Sequence, residues 1–521
     1  MCSFAFRPIA LIPFPIQLAS EIACIHRFKH ADLGKPGKLH LRRMLGYRFN
    51  GSALSETRTL PARMNPNAIT IDASHTAGSG KNTGIERVVR NLCRELRVVL
   101  PEHGLPQPET VTHFGGKFLS VDSPLQKRFS TLAAWEANAT KFVPTWLQAI
   151  PNWLAQRSNS AKVKKWMTPH PSHLGIYKVP HHLYRWSSLL SRTMRGKPLI
   201  PSRNDILLLP DAYWTRRDIW DTVQTYRREG TFVATVVYDL IPLTHPEYVG
   251  KRRSEKFKRY LDQVVQHSDL IVAISKTVRD EVAAAIESRP DRNACCKDIR
   301  SFTLGAELTL PQESQGSIRN EVIETFSGPN PPYLMVASFD PRKNHSQALD
   351  AFDLLWKQDP ELQLCFAGRT GAMCQELMDR IARHPMLGRR FFVYHDLSDA
   401  ELHYAYQRCS GVLLPSIVEG FGLPIVESLW YGKKTFASDT PIHREVGGEH
   451  CEYFPLHDPQ TLASLILSWQ SQGKPSVAGP LVRYTPATWK QSATELVELL
   501  LDAYAEAHAS TKNKSSERCA A

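Results

Sequence analysis

The sequence predicts an α/β protein of two Rossmann-like, doubly wound parallel-sheet domains facing one another across a cleft. Three observations point there. The chain has 521 residues, more than one hydrophobic core usually organises. Short apolar runs alternate with amphipathic helical periodicity, the rhythm of parallel strands joined by crossover helices. That rhythm breaks off in a polar, proline-bounded stretch near the middle of the chain and then begins again.

The first regular element is the apolar run Ala68 to Ile71, ending at Asp72. A Gly-rich loop follows, and then Ile85, Val88, Val89, Leu92 and Leu96 at helical spacing. The pattern resumes at Asp205. It gives a strand over Ile206 to Leu209, a helix through Trp220, a strand over Phe232 to Tyr238, a helix near Phe257 to Val265, a strand over Leu270 to Ile274 and a helix after Ser275. Polar residues from Gln312 to Gly328, closed by Pro329, Pro331 and Pro332, form the linker. Beyond it, strands are expected at Tyr333 to Ala337, Leu362 to Phe366, Phe391 to Tyr394, Gly411 to Leu414 and Lys434 to Ala437. Trp489, Leu496, Leu499 and Leu500 fall at helical spacing, which predicts a last helix packing back on the domains.

The domain plan follows. Residues 1–63 are an N-terminal extension, either disordered or not native, since Met64 stands just before the first strand. Residues 64–310 form an N-terminal domain with an insertion at 120–200, and residues 325–485 a C-terminal domain. Residues 486–509 are a helix and 510–521 a polar, disordered tail.

Composition removes several classes. With 42% hydrophobic and 22% charged residues the chain is not disordered throughout. Ten scattered cysteines without a CxxC pair or a matching histidine spacing exclude a zinc module and suit a reduced, cytoplasmic compartment. The apolar run from Phe4 to Ile25 is interrupted by Arg7, Pro8, Pro13, Pro15 and Glu21, which spoils it as a spanning helix and as a signal-peptide core. The net charge of +13 calls for an anionic partner, and with no nucleic-acid module recognisable, no nucleic acid is expected. Lys141 to Ile200 holds ten Lys or Arg residues, no Asp or Glu, and Trp146, Trp153, Trp166 and Trp186. That pattern fits an anionic membrane surface, hence a peripheral position on the inner face of the cell membrane, and fits equally a basic face that is only solvated.

The chemistry concentrates in Pro415 to Gly432, PSIVEGFGLPIVESLWYG. A strand ends at Pro415, a loop carries Glu419, Gly420, Phe421 and Gly422, and a helix opens at Leu423 and Pro424 with Glu427 inside it. Glycines at such a junction admit a ligand close to backbone N–H groups, and the helix N-terminus favours phosphate. The two carboxylates, eight positions apart, can face one cleft and accept hydrogen bonds from sugar hydroxyls. Spacing alone also fits a capping glutamate and a surface one. The segment GSGK, Gly78 to Lys81, is not a phosphate-binding P-loop, because His75 stands where a Gly is needed and Asn82 where Ser or Thr is needed.

EGFGLPIVE resembles the EX7E signature of the large retaining glycosyltransferase family four. The likeness extends through ASFDPRKNHSQALDAF, LCFAG, LSDAELHYAYQRC and DTPIHREVGG, and in the first half through IDASHTAGSGKNTGIERVVRNL, DILLLPDAYW and VVYDLIPLTHPEYV, like bacterial mannosyltransferases of surface polysaccharide synthesis. The resemblance implies the GT-B fold, with acceptor bound by the N-terminal domain and donor by the C-terminal one. It implies that Glu419 contacts the donor sugar and Glu427 the ribose, while Lys343 and Arg342 neutralise the diphosphate beside Ser338, Gly420, Phe421, Gly422 and Leu423. Gly80 and Gly84 would belong to a loop closing over donor or acceptor. Many relatives carry Gly-Arg where this chain has Ala337-Ser338, and a His-Asp pair where it has Tyr238-Asp239, so those contacts stay open. The implied reaction is hexosyl transfer with retention to a glycan or lipid-linked hydroxyl, in surface polysaccharide or lipopolysaccharide synthesis. No cofactor or metal is expected, in keeping with the lack of a DxD motif. GDP-mannose is the first expectation for the donor and a UDP-sugar the second. An epimerase or hydrolase on the same fold, and a non-catalytic membrane-associated scaffold that binds nucleotide, are the alternatives.

Overall fold

The computed structural model describes residues 65–79, 84–120, 197–214, 216, 218–291, 296, 298–307, 318–371, 373–472 and 486–520. The N-terminal extension, all but the edges of the insertion, and Gly80 lie outside them. The described residues belong to one compact unit.

The first sheet is built from β1 (Ala68–Asp72), β2 (Glu109–Phe114), β3 (Lys117–Ser120), β4 (Asp205–Leu209), β5 (Phe232–Val237), β6 (Leu270–Ala273) and β7 (Ile299–Ser301). Its order is β3-β2-β1-β4-β5-β6-β7, parallel except for the edge hairpin β2–β3. Between the strands lie α1 (Ser74–Ser79), α2 (Gly84–Glu102), α3 (Ile219–Arg228), α4 (Ile241–Thr244), α5 (Lys251–His267) and α6 (Lys276–Glu287). Every residue of β5 and β6 is buried, as expected of strands covered on both faces.

The second sheet runs β10-β9-β8-β11-β12-β13, all parallel, from β8 (Tyr333–Val336), β9 (Leu364–Ala367), β10 (Phe391–Tyr394), β11 (Gly411–Leu414), β12 (Thr435–Ser438) and β13 (Glu452–Phe454). Its helices are α7 (Asn320–Ser327), α8 (His345–Leu355), α9 (Gln375–Ala382), α10 (Asp399–Arg408), α11 (Leu423–Trp430), α12 (Pro441–Gly447) and α13 (Pro459–Ser471). The chain ends in α14 (Trp489–Ala520), whose Leu496, Val497 and Leu500 pack with Leu92, Leu96 and Val99 of α2. Strand order reverses between β1 and β4 in one sheet and between β8 and β11 in the other. Ligands of such sheets bind at the carboxyl ends of the strands beside that reversal. The two Rossmann-like domains share one apolar core, which runs from β1, β4 and α2 into Phe421, Ile425, Val426 and Leu429 of the second domain.

Several expectations need correction. The stretch after Asp72 is not wholly loop: α1 forms because Asp72 accepts the Ser74 N–H at 3.4 Å and Asp211 accepts the Thr76 N–H at 2.7 Å, capping its start. The polar linker ends in α7, whose Val322 and Phe326 pack with Leu334 and Tyr406, so the second domain begins before residue 325. Helix α14 continues to Ala520 where a disordered tail is expected from Ser510; its first turns are fixed by packing, so later residues only have to propagate the helix. The insertion leaves and rejoins the fold at a neck, where Ser120 N–H donates to Lys197 O at 3.0 Å and Leu199 N–H to Phe118 O at 2.9 Å. No helix among the described residues is long and apolar enough to cross a membrane.

Candidate functional site

Two loops meet at the reversal of the second sheet. After β8, Asp340 accepts the Arg342 N–H at 3.3 Å and Pro341 opens a single 3-10 turn, Pro341–Lys343. After β11 comes the loop with Glu419. Ile417 N–H donates to Arg342 O at 2.8 Å, and Arg342 Nη1 donates to Val418 O at 3.2 Å, tying one loop to the other. Glu419 then receives both cations: Arg342 Nη1 on Oε2 at 3.2 Å and Lys343 Nζ on Oε1.

The electrostatics follow from this crowding. Burial pushes the Glu419 carboxyl up, but Lys343 and Arg342 outweigh it and bring it down to about 2. Burial and the neighbouring Arg342 lower the Lys343 ammonium, against the pull of Glu419. Burial would depress Arg342 as well, yet Glu419 and Asp239 together raise it. Asp239, from the first domain, is itself raised by burial, with Arg342 as the main counterweight; its Oδ1 accepts the Ile241 N–H at 3.1 Å. The cluster is a buried carboxylate with two cations, and it suits an anion that develops charge beside it.

The adjoining glycines have different reasons to be glycine. A side chain on Gly420 would sit 2.1 Å from the Tyr238 carbonyl oxygen, so here the first domain's β5 end presses on the loop. Ser275 Oγ donates to Gly420 O at 3.0 Å across the same boundary. Gly422 has φ of +92° and precedes α11, a left-handed position that any other residue would strain. Phe421 is buried in the shared core, and Leu423 starts α11 half-buried, 3.8 Å from where a Gly84 Cβ would be. Gly84 begins α2, so the first turns of α2 and α11 lie side by side. Tyr238 is buried with its hydroxyl donating to Pro210 O at 2.6 Å, and burial, then Asp211, raises that hydroxyl. Ser338 is exposed just past β8.

Glu427, on α11, lies in a second cluster. Its side chain is 3% exposed; Tyr406 of α10 donates to Oε2 at 2.7 Å, and Arg87 of α2 pairs with Oε1 from the other domain. Sequence reasoning missed Arg87 and Tyr406, although both lie in quoted motifs, because nothing local says that they converge. It missed His443 too. His443 Nδ1 bonds to Ser438 O at 2.9 Å, and its buried Nε2 has no hydrogen-bond partner among the described residues.

At the reversal of the first sheet, Asp72 and Asp211 end β1 and follow β4. Tyr213 donates to Asp72 Oδ2 at 2.9 Å and Ser74 Oγ donates to Oδ1, while Thr76 Oγ1 donates to Asp211 at 3.0 Å. Burial raises the Asp72 carboxyl to about 7 and raises Asp211 as well. No sequence pattern distinguishes these two from ordinary strand-end aspartates.

Comparison with known proteins bears on the second domain first. Residues 319–477 match the family of glycosyl transferases group 1. The chain is 27% identical over 335 residues to the serotype-specific mannosyltransferase WbdA of Escherichia coli, covering 62% of this chain and 41% of that protein. It is 23% identical over 326 residues to O-antigen chain mannosyltransferase B of Escherichia coli, covering 58% of this chain and 80% of that protein. Among solved structures, Anabaena Alr3699/HepE in complex with UDP and glucose is similar at 15% identity and a TM-score of 0.45, covering 86% of this chain and 99% of that one. The chain thus spans well under half of the length of WbdA. Residues 319–477, which carry Lys343, Glu419 and Glu427, are therefore a domain of the glycosyl transferases group 1 family, in agreement with the resemblance of its motifs.

Proposed function

We propose that the protein transfers a mannosyl unit from GDP-mannose to a hydroxyl on a growing glycan or lipid-linked acceptor, with retention, in surface polysaccharide or lipopolysaccharide synthesis. The observation that carries the reading is the Glu419, Lys343 and Arg342 cluster at the reversal of the second sheet, inside a glycosyl transferases group 1 domain. The names of the relatives, mannosyltransferase WbdA and O-antigen chain mannosyltransferase B, favour mannose.

The chemistry needs charge neutralised where the sugar–phosphate bond breaks. Lys343 and Arg342 stabilise the departing nucleoside diphosphate, and the N-terminus of α11 adds its dipole. These groups supply what a divalent ion would otherwise supply, so the proposed reaction uses none. Glu419 leaves its cations to the phosphate and positions the sugar. The acceptor oxygen attacks from the face that the phosphate leaves, and the phosphate oxygen takes the acceptor proton. The basic, Trp-rich insertion at 120–200 would bring the enzyme to an anionic membrane surface carrying the acceptor, which flotation with anionic liposomes checks.

Incubation with GDP-mannose and a lipid-linked or oligosaccharide acceptor is the direct test. The expected product is an α-mannosylated acceptor, formed without added metal and at least about 100-fold more slowly by Glu419→Gln. Transfer from a UDP-sugar instead would move the donor assignment. Release of free mannose at the same rate with and without acceptor would contradict transfer.

A further inference from the structure

Glu427 is the residue that the proposed reading assigns to the donor ribose, and the inference here rests on that assignment. In this structure both oxygens of its carboxylate are engaged. Tyr406 holds one oxygen, Arg87 the other, and only 3% of the side chain reaches solvent. A carboxylate so buried is out of a ligand's reach until one of the side chains covering it withdraws. Tyr406 is fully buried beside Tyr431 within the same domain, the two rings stacked at 5.4 Å, so withdrawing it would break that packing. Arg87 comes from the first domain, keeps 26% of its side chain exposed, and lies one turn into α2, three residues after Gly84.

We infer that Arg87 is a gate on the ribose subsite. In one state Arg87 reaches across from the first domain and neutralises Glu427, as in this structure; when a nucleoside diphosphate binds, two ribose hydroxyls replace it and Arg87 swings toward solvent. The exchange is physically balanced. A buried carboxylate stripped of its paired cation is strongly disfavoured, so an Arg that yields has to be replaced at once by donors, and ribose hydroxyls are donors. The same exchange links donor arrival to the contact between domains, because the displaced group belongs to the opposite one.

The gate makes a prediction with an unusual sign: removing a cation next to an anion-binding site should tighten anion binding. Calorimetric titration of the full chain with GDP and with UDP is run on wild type, Arg87→Met and Arg87→Gln, with Tyr406→Phe as a within-domain comparison. The two Arg87 variants should bind the preferred nucleotide roughly tenfold more tightly, since a competing contact worth about 1.4 kcal/mol or more is gone. Tyr406→Phe should show no such gain. A residue that merely supported Glu427 would weaken binding when lost. Wild-type binding with Arg87 variants that bind equally or more weakly would overturn the gate and leave the donor-site reading standing. Absence of nucleotide binding by every folded protein would overturn both.

Discussion

Replacing Glu419 with Gln keeps the shape of the side chain and removes the charge that holds Lys343 and Arg342. Two opposite effects set the magnitude: burial disfavours the carboxylate, and the two cations favour it more, taking it from its ordinary 4.5 to about 2. That preference for the ionised form is worth about 3 kcal/mol. The sign is that of a depressed carboxyl: the contribution is complete above pH 4.5 and is lost as pH falls toward 2. Glu419→Gln should therefore unfold about 3 kcal/mol more easily than wild type at pH 7, and the gap should shrink to about half by pH 3. Urea unfolding followed by circular dichroism at pH 7, 4 and 3 measures both. A gap under about 1 kcal/mol at pH 7, or one that does not narrow in acid, would refute the claim that Lys343 and Arg342 control this carboxylate.

The raised Asp72 gives the opposite pH dependence. Its folded-state value of about 7 exceeds the ordinary 3.8, so wild type loses stability as pH rises between them, and Asp72→Asn should gain on wild type by about 3 kcal/mol between pH 5 and pH 8, read from the same unfolding curves. Gly420→Ala forces a methyl to 2.1 Å from the Tyr238 carbonyl and should cost at least about 2 kcal/mol, seen as a lower melting temperature. Glu445 of α12 caps α6 across the domain boundary through the N–H groups of Lys276 at 2.6 Å and Thr277 at 2.8 Å; Glu445→Ala should cost about 1 kcal/mol and raise amide exchange at those two residues.

The alternation of apolar runs and helical periodicity made the core strands of both sheets legible, because β5, β6, β9 and β11 are buried on both faces. The edges were not. Strand β2 buries Thr110, Thr112 and His113, which no apolar pattern marks, and β7 and β13 are three residues each. Helix α1 depends on carboxylates brought from two strands, and α7 hides in a polar stretch whose few apolar residues pack only once the sheet exists. The same division holds at the site. Glu419, Lys343 and the left-handed Gly422 lie in short motifs with a local mechanism. Arg87 on Glu427, Asp239 near Arg342 and Gly420 under Tyr238 arise only when two domains are set against each other, and sequence spacing carries no record of that.

The most direct test of the central claim is calorimetric titration of the purified protein with GDP, UDP and ADP, on wild type and on Lys343→Met. Selective binding of GDP, weakened at least tenfold by Lys343→Met while the variant remains folded, is the predicted result. Equal, Lys343-independent binding of all three, or none at all, would contradict a donor site built from Lys343, Arg342 and Glu419.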